Sequence, residues 1–338
     1  MKFSRQVTCA GVLHGAGFHV QRYTRGMRDL VVSLPAEGLR EELGEVPGVE
    51  FVDWELTGPP PREYIDIVVP PYWGGNRQLA ALAGVEARLV QWQSIGYNGT
   101  AKYLPEGVPL ANAATVHEAS TAELAIGLAL AAQRGIPDFV RDGEVRRWDQ
   151  RSFPSLADRR VLIVGYGGVS KAVEARLAGF ETHITRLART AREERNLAGE
   201  TVAVRGFGEL REALAEADIV IVAVPLTDET RGMFGAAELA AMPEGALLVN
   251  VARGPVVDTD ALVAELQAGR LRAALDVTDP EPLPEDHPLW RCPGALITPH
   301  VGGDSTAMLP RMVALIRRQI GHLQAGERPE NLVIGEWA

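Results

Sequence analysis

Cysteine is scarce in this sequence. Only Cys9 and Cys292 occur among 338 residues, and neither belongs to a CxxC pair. The spacing therefore gives no support to a disulfide framework or to a structural zinc site. We expect no bound metal. The simpler expectation is a cytoplasmic protein whose cysteines are reduced.

The chain also lacks a long apolar run and an excess of positive charge. Although 46% of its residues are hydrophobic, no segment reaches the roughly 18 uninterrupted apolar residues that a membrane helix requires. Asp and Glu number 44 against 34 Lys and Arg, which gives a net charge of -10. Because this charge opposes nonspecific attraction to phosphates, we expect neither a membrane span nor a nucleic-acid partner.

The amino-terminal segment resembles a secretory leader only superficially. Lys2 and Arg5 precede a mildly apolar stretch, residues 7–18, but a histidine and several glycines interrupt it. We therefore predict a flexible extension over residues 1–26. Met27 is an alternative natural start.

Short β-branched runs alternate with helical stretches from Asp29 onward, which is typical of parallel α/β architecture. A chain of 338 residues exceeds what one core supports, roughly 250 to 300 residues, so we expect two domains. A nearly all-apolar helix over 119–132 is predicted to cross between them, and a long amphipathic helix over 305–323 closes the chain. The predicted strands cover residues 29–34, 65–69, 87–91, 161–164, 183–187, 219–224, 246–250 and 272–276.

The turn from Gly165 to Ser170 follows one of these strands directly and precedes a helical stretch. This is a dinucleotide fingerprint in its strand-turn-helix setting, with Ser170 in place of the third glycine. Gly165 permits the tight turn, Gly167 lets the backbone approach a pyrophosphate, and the helix amino terminus supplies N–H groups and a positive dipole. We place at the cofactor Gly165, Tyr166, Gly167, Gly168 and Val169.

The cofactor class is predicted from the end of the next strand. NAD enzymes usually place an acid there, about 20 residues after the glycine turn, to bond the ribose hydroxyls. Residues 185–192 hold no acid but three arginines. We predict NADP in preference to NAD, with Arg186 and Arg189 holding the 2′-phosphate and Arg189 as the leading ligand. A solvated arginine-rich loop is the alternative.

Four further segments each follow the carboxyl end of a predicted strand. That edge is where ligands bind in open α/β sheets. Arg253, Glu281 and His300 can therefore converge on one cleft although they are far apart in sequence. The segments are residues 224–227, 250–258, 275–283 and 297–303.

These segments, in this order behind the glycine turn, resemble the D-isomer-specific 2-hydroxyacid dehydrogenases. The resemblance extends from Asp29 and is dense from Leu156 to Gly303. It implies that Arg253 binds the substrate, that Glu281 is the acidic partner and that His300 is the acid/base histidine.

The same resemblance implies further contacts. Asp276 matches a carboxylate near the nicotinamide, and the turn over 70–75 presents backbone N–H groups to the substrate carboxylate, with residues 94–97 opposite. Tyr72 and Trp73 either narrow the pocket or only pack between the domains, and we interpret His117 as structural. The other cofactor contacts expected are Val224, Pro225, Thr230, Val251, Ala252, His300 and Gly302. The substrate contacts expected are Trp73, Gly74, Gly75, Ser94, Gly96 and Arg253.

The resemblance also implies the fold and the reaction. We expect two doubly wound, Rossmann-like domains: a discontinuous substrate domain, residues 27–117 and 304–338, and a dinucleotide-binding domain, residues 118–303. The enzyme would transfer a hydride between NAD(P)H and a 2-oxo acid, giving the D-2-hydroxy acid, like a glyoxylate/hydroxypyruvate reductase or a phosphoglycerate dehydrogenase. A homodimer through the cofactor domains is implied as well.

Two alternatives stay open at this point. A relative that oxidises another substrate, such as phosphite, would use the same three residues, whereas oxidation of formate needs no proton exchange and fits Glu281 less well. A dinucleotide-sensing binding protein on this scaffold, similar to the corepressors that share it, would bind cofactor without turnover.

Overall fold

The structure is a computed structural model that describes residues 29–36 and 38–337. The predicted extension over 1–26, the alternative start at Met27 and Cys9 lie outside the described residues.

The secondary structure alternates strands and helices along the chain. The first half contains β1 (Leu30–Leu34), α1 (Leu39–Leu43), β2 (Val49–Asp53), β3 (Tyr64–Ile65), β4 (Ile67–Val68), β5 (Glu86–Ala87), β6 (Val90–Gln91), β7 (Leu110–Ala111), α2 (Glu118–Gln133) and α3 (Ile136–Glu144). The second half contains β8 (Arg160–Val164), α4 (Gly168–Leu177), β9 (His183–Ala188), β10 (Arg192–Arg195), β11 (Thr201–Gly206), α5 (Leu210–Glu216), β12 (Ile219–Val222), α6 (Ala236–Ala241), β13 (Leu247–Asn250), α7 (Thr259–Gln267), β14 (Arg272–Leu275), β15 (Ala295–Ile297), α8 (Met308–Ala325) and β16 (Leu332–Ile334).

The described strands form two large sheets. One has the order β16-β7-β6-β4-β1-β2 and the other β10-β11-β9-β8-β12-β13-β14-β15. Neighbouring strands are parallel except β16 against β7 and β10 against β11. In each sheet the chain winds outward in both directions from its first strand, β1 or β8, so the predicted doubly wound α/β class is confirmed.

The central strands form because their sequences suit burial on both faces. In β12 the run Ile-Val-Ile-Val is fully buried, and β13 is buried along its whole length. Parallel strands covered by helices on both sides need such continuous apolar runs rather than alternation.

The helix α2 connects the two sheets and packs against α4, β13 and β14. Its buried face includes Ala122, Ala125 and Ala129, whose small side chains allow close approach. At the other end of the chain, α8 returns to the first sheet, where Met312 and Ile316 share a core with Leu39 of α1. The domain built on the first sheet is therefore discontinuous in sequence. The boundaries proposed at residues 117 and 304 stay a prediction.

Two predicted strands are split in two: residues 87–91 contain the end of β5 and all of β6, and residues 65–69 contain the end of β3 and all of β4, with a break at Asp66. Asp66 is fully buried at its break, where its carboxylate accepts hydrogen bonds from the backbone N–H of Val31 (2.9 Å) and from Arg88 (3.0 Å). A buried carboxylate must be paired in this way. The short strands β3 and β5 pair with each other and form a separate small sheet.

The second sheet has eight strands, more than the five that we predicted. The additional strands β10, β11 and β15 were missed, as were β2, β7 and β16 of the first sheet. The sequence of β10, Arg-Glu-Glu-Arg, offers no apolar face to detect.

None of the helices in the described part of the chain has the length and apolar character that a membrane span requires.

Candidate active site

The carboxyl ends of β8, β12, β13 and β14 meet at one edge of the second sheet, because these neighbours are parallel and paired in register. The loops that carry the glycine turn, Arg253 and Glu281 begin at this edge. The chain first adds β9 on one side of β8 and later adds β12 on its other side. This edge therefore also contains the switch point at which such sheets bind ligands.

The glycine turn at the end of β8 has the geometry that a dinucleotide requires. Gly165 has a φ of 89°, and a Cβ there would lie 2.6 Å from the carbonyl oxygen of Ala223, so only glycine fits. A Cβ on Gly167 would meet no atom within 4 Å. The first N–H groups of α4 follow at once and have no partner within the helix. This turn fits a pyrophosphate, since N–H donors and the positive helix end are accessible.

Tyr166 and Arg186 belong to a buried network rather than to the cofactor surface. The hydroxyl of Tyr166 donates to Glu174 (2.5 Å), and Arg186 donates to both oxygens of that carboxylate, each at 2.8 Å. Burial raises the pKa of Glu174, but these hydrogen bonds outweigh it and hold the pKa below its usual range. Because its guanidinium is engaged inside the fold, we withdraw Arg186 as a phosphate ligand.

Arg189 and Arg192 remain near the carboxyl end of β9. The Nε of Arg189 pairs with Glu229 at 2.8 Å, and both side chains are at least half exposed. One Nη of Arg192 pairs with Glu194 at 2.5 Å and also lies 3.4 Å from the carbonyl oxygen of Tyr166 in the glycine turn. Arg192 therefore contacts the backbone of the glycine turn, whereas the guanidinium of Arg186 is held by Glu174.

Two acidic residues near the end of β9 escaped the sequence prediction. Glu194 lies on β10, where its carboxylate also pairs with Lys171 at 2.5 Å, and Glu229 comes from the loop after β12. The hydrogen bond from Lys171 holds the pKa of Glu194 below its usual range. A search confined to the end of the second strand could not find either carboxylate, because both come from later segments.

The loop after β12 contains three predicted cofactor residues in different settings. Val224 is buried and Pro225 is exposed. Thr230 is 1% exposed, and its hydroxyl donates to the carbonyl of Pro225 (2.6 Å) and accepts from the N–H of Thr227 (2.8 Å). Thr230 therefore shapes the turn and offers no hydroxyl to a cofactor, which corrects its predicted role.

Arg253 extends from the second sheet to the first domain. Its Nη1 donates to the carbonyl of Ala252 at 2.7 Å. A Cβ on Gly96 would lie 1.8 Å from its Nη2, and a Cβ on Gly254 would lie 1.8 Å from the carbonyl oxygen of Thr278. Two glycines thus make room for the guanidinium and for the turn that carries it. Val251 and Ala252, just before it, are buried.

Burial lowers the pKa of Arg253, while the proximity of Glu281, Tyr72 and Asp276 opposes that shift. The guanidinium is therefore close to the second predicted catalytic residue, Glu281, and to the aromatic residue Tyr72 of the first domain. A largely buried cation beside carboxylates is suited to bind an anionic ligand.

Glu281 and His300 form a direct pair. The Nδ1 of His300 lies 2.5 Å from Oε1 of Glu281, and each side chain is about two-fifths exposed, at 40% and 39%. Burial raises the pKa of Glu281, but the hydrogen bond from His300 and the charges of His300 and Arg253 outweigh it, so the pKa lies below its usual range. Because a carboxylate only accepts, Nδ1 carries the proton and Nε2 is the nitrogen left for another ligand.

Asp276 anchors the segment that carries His300. It is 2% exposed, and its carboxylate accepts from the hydroxyl of Thr298 (2.6 Å) and from the N–H groups of Val301 (3.0 Å) and Gly302 (2.9 Å). His300 itself has a φ of 54°, a conformation that a residue with a side chain adopts only when its surroundings impose it. Asp276 thus positions the histidine, and its place near the nicotinamide stays a prediction.

The turn over 70–75 lies on the opposite wall. The N–H of Gly74 donates to the carbonyl of Pro71 within the turn (3.4 Å), and its contact with a substrate stays a prediction. Gly75 has a φ of 70° and begins a short 3-10 helix, Asn76–Leu82. Trp73 is 70% exposed. Ser94 and Gly75 stay predictions as substrate contacts.

His117 joins the two walls, a role that the sequence did not reveal. It is buried at the amino terminus of α2, where its Nδ1 lies 3.0 Å from the carbonyl oxygen of Gly303 and its Nε2 lies 2.6 Å from that of Gln93. Its ring also stacks on Tyr72, with centroids 5.8 Å apart. The structural interpretation of His117 agrees with these contacts.

Known proteins match most of this sequence. The sequence model of the D-isomer specific 2-hydroxyacid dehydrogenase NAD binding domain matches residues 126–302. Glyoxylate reductase of Pyrococcus horikoshii is 33% identical over 260 residues, which cover 73% of this chain and 76% of that protein. D-3-phosphoglycerate dehydrogenase of Methanocaldococcus jannaschii is 32% identical over 231 residues, which cover 68% of this chain and 43% of that protein.

A solved structure agrees with these sequence matches. The D-isomer specific 2-hydroxyacid dehydrogenase from Xanthobacter autotrophicus, crystallised in complex with NADPH and MES, superimposes with a TM-score of 0.74 at 28% identity and covers 91% of this chain and 98% of its own. The family model covers more than half of the chain, and glyoxylate reductase of Pyrococcus horikoshii matches 73% of it. The chain therefore belongs to the D-isomer specific 2-hydroxyacid dehydrogenases.

Proposed function

We propose that the chain is an NAD(P)-dependent oxidoreductase that reduces a small 2-oxo acid to the D-2-hydroxy acid and catalyses the reverse reaction. The observation that carries this proposal is the 2.5 Å pair of His300 and Glu281 beside the partly buried guanidinium of Arg253. The relatives named glyoxylate reductase and D-3-phosphoglycerate dehydrogenase support the same substrate class.

The cofactor would bind along the edge formed by the glycine turn and the loops after β12 and β13. The N–H groups at the start of α4 would hold its pyrophosphate, and Gly167 leaves the backbone accessible there. When bound, the nicotinamide supplies or accepts the hydride.

Arg253 would bind the carboxylate of the 2-oxo acid and polarise its carbonyl. A guanidinium suits both tasks because it donates several hydrogen bonds in a fixed plane. Burial strengthens these bonds, since little water competes for them.

His300 would donate a proton from Nε2 to the carbonyl oxygen while the carbonyl carbon receives the hydride. One hydride and one proton convert the C=O into CH–OH, and His300 removes the proton in the reverse direction. Glu281 remains ionised and stabilises the charged imidazole during this exchange.

Replacing the proton donor tests this role. We expect His300→Ala to lower kcat/KM for 2-oxo acids by about 10² to 10⁴, the usual contribution of a general acid. The affinity for NADPH, measured by fluorescence titration, should stay within about two-fold, because no hydrogen bond from this side chain anchors the glycine turn.

The exposed His183 at the start of β9 offers a matched control. His183→Ala should retain wild-type turnover. Full activity of His300→Ala would contradict the assignment, whereas tight NADPH binding by a wild-type protein that reduces no 2-oxo acid would favour a dinucleotide sensor.

We also propose that NADP is preferred to NAD and that Arg189 and Arg192 hold its 2′-phosphate. Both arginines already have a carboxylate partner, but exposed ion pairs of this kind contribute only about 0.2 to 1 kcal/mol. Hydrogen bonds to a charged group are worth about 1.5 to 3 kcal/mol, so a 2′-phosphate can compete with Glu194 and Glu229. The structure in complex with NADPH from Xanthobacter autotrophicus supports the same cofactor.

This preference predicts a selective loss. Arg192→Ala should raise the Kd of NADPH by about ten-fold or more, the effect of one charge-assisted contact, and change the Kd of NADH little. Arg195→Ala is the control, because Arg195 is three residues along the same strand and therefore points to the opposite face. Equal losses for NADPH and NADH in Arg192→Ala would rule out the phosphate contact.

We further propose that two copies associate through α3 and the segment that follows it. Five apolar side chains are exposed there, which is unusual for a monomer surface. They are Ile136 (49%), Phe139 (40%), Val140 (60%), Val145 (63%) and Trp148 (92%).

Disrupting this surface should produce a monomer. Val140→Asp should halve the mass measured by light scattering at micromolar concentration, since a charge would enter an apolar contact. Leu197→Asp is the matched control, because Leu197 is equally exposed (64%) but lies in the loop between β10 and β11. A wild-type protein that is monomeric, or a Val140→Asp variant that stays dimeric, would contradict the proposal.

The proposed compartment is the cytoplasm. Dependence on a nicotinamide pool supports it, and so does Cys292, a buried free thiol.

A further inference from the structure

A cavity of about 160 Å³ lies between the first domain and the start of α8. Its apolar wall consists of two aromatic and four aliphatic side chains, and we call it the side-chain pocket. These residues are Leu39, Tyr72, Trp73, Met308, Leu309 and Met312.

The side-chain pocket adjoins the catalytic group through Tyr72. This residue is close enough to Arg253 to affect the pKa of the guanidinium. Its hydroxyl also lies 3.3 Å from the position of a Cβ on Gly303, three residues beyond His300. The ring of Trp73 packs edge-on against Tyr72, with centroids 4.8 Å apart. A substrate whose carboxylate reached Arg253 would therefore have the pocket beside its remaining substituent.

The polar groups of the pocket do not favour a second anion. Among the described residues that line it, none is basic and one, Asp304, is acidic. Gln93 also lines it, but its amide already donates to the carbonyl of Pro70 at 2.9 Å. A phosphate or carboxylate on the substrate side chain would lose water without gaining a cation, and Asp304 would repel it.

The volume indicates the size of the group that fits. An apolar protein cavity of about 150 Å³ accommodates benzene, so this pocket has room for a branched aliphatic or phenyl group. Met308, Leu309 and Met312 supply flexible apolar contacts to such a group. Glyoxylate, which has no carbon beyond its carbonyl, would leave all of these contacts unmade.

We infer that the preferred substrates are 2-oxo acids with an apolar side chain of about four to six carbon atoms, and that acids with a second anionic group are poor substrates. This inference rests on the proposed 2-oxo acid reductase activity and specifies its substrate class.

The direct test is a substrate panel with the unmodified protein and NADPH or NADH. The panel contains glyoxylate, pyruvate, 4-methyl-2-oxopentanoate, phenylpyruvate and 2-oxoglutarate. We expect kcat/KM for 4-methyl-2-oxopentanoate to exceed that for glyoxylate by about ten-fold or more. The reason is that one methylene group in an apolar pocket changes kcat/KM by about 10- to 200-fold. We expect 2-oxoglutarate to be poorer than either.

The outcomes separate the two proposals. A preference for glyoxylate or 2-oxoglutarate would overturn the inference and leave the reductase activity intact. Failure to reduce any 2-oxo acid would overturn the proposed function itself, and the inference with it.

Two variants of Met308, a half-buried residue in the first turn of α8, connect the preference to the pocket. Met308→Trp fills the space and should lower the ratio of kcat/KM for 4-methyl-2-oxopentanoate to that for glyoxylate by about ten-fold. Met308→Lys adds a cation and should raise kcat/KM for 2-oxoglutarate relative to 4-methyl-2-oxopentanoate. This second variant tests the role of the pocket even if the Trp variant fails to fold.

Arg311→Trp is the control, because Arg311 is exposed on the same helix and does not line the pocket. It should keep the wild-type ratios. Unchanged ratios in both Met308 variants would show that the pocket does not hold the substrate side chain.

Discussion

The hydrogen bond between His300 and Glu281 is the interaction on which the rest of the site depends. It fixes which nitrogen of the imidazole carries a proton, and so which nitrogen faces the substrate. It also sets an ionised carboxylate beside Arg253, whose burial would otherwise be unfavourable. Glu281 thus serves both cations of the site, and the binding of an anion and the transfer of a proton are electrostatically linked.

Much of the surrounding structure serves to hold that pair in place. Both carboxylate oxygens of Asp276 accept hydrogen bonds from the segment after β15, in which His300 has a left-handed backbone conformation. Gly96 and Gly254 leave space in which Arg253 and its turn can lie. His117 then ties the loop after His300 to the first domain. Residues other than the three catalytic ones therefore determine where the reactive atoms lie.

The sequence predicted those features that leave a local signal. Continuous apolar runs identified the central strands, and the glycine turn identified the start of α4. The partners of individual side chains left no such signal. Arg186 pairs with Glu174, which comes from the preceding helix, and Thr230 bonds within its own turn. The charged strand β10 lacked an apolar face, and β16 joins the first sheet only after the chain has completed the second domain.

The kcat/KM for 2-oxo acid reduction at neutral pH, compared between the wild type and Glu281→Gln, tests the central claim most directly. The pKa of Glu281 lies below its usual range, so its carboxylate is charged at neutral pH. Glutamine can still accept a hydrogen bond from Nδ1 of His300 but carries no charge, so kcat/KM should fall by about ten-fold or more, the effect of one charge-assisted contact. A variant that keeps the wild-type kcat/KM would contradict the account.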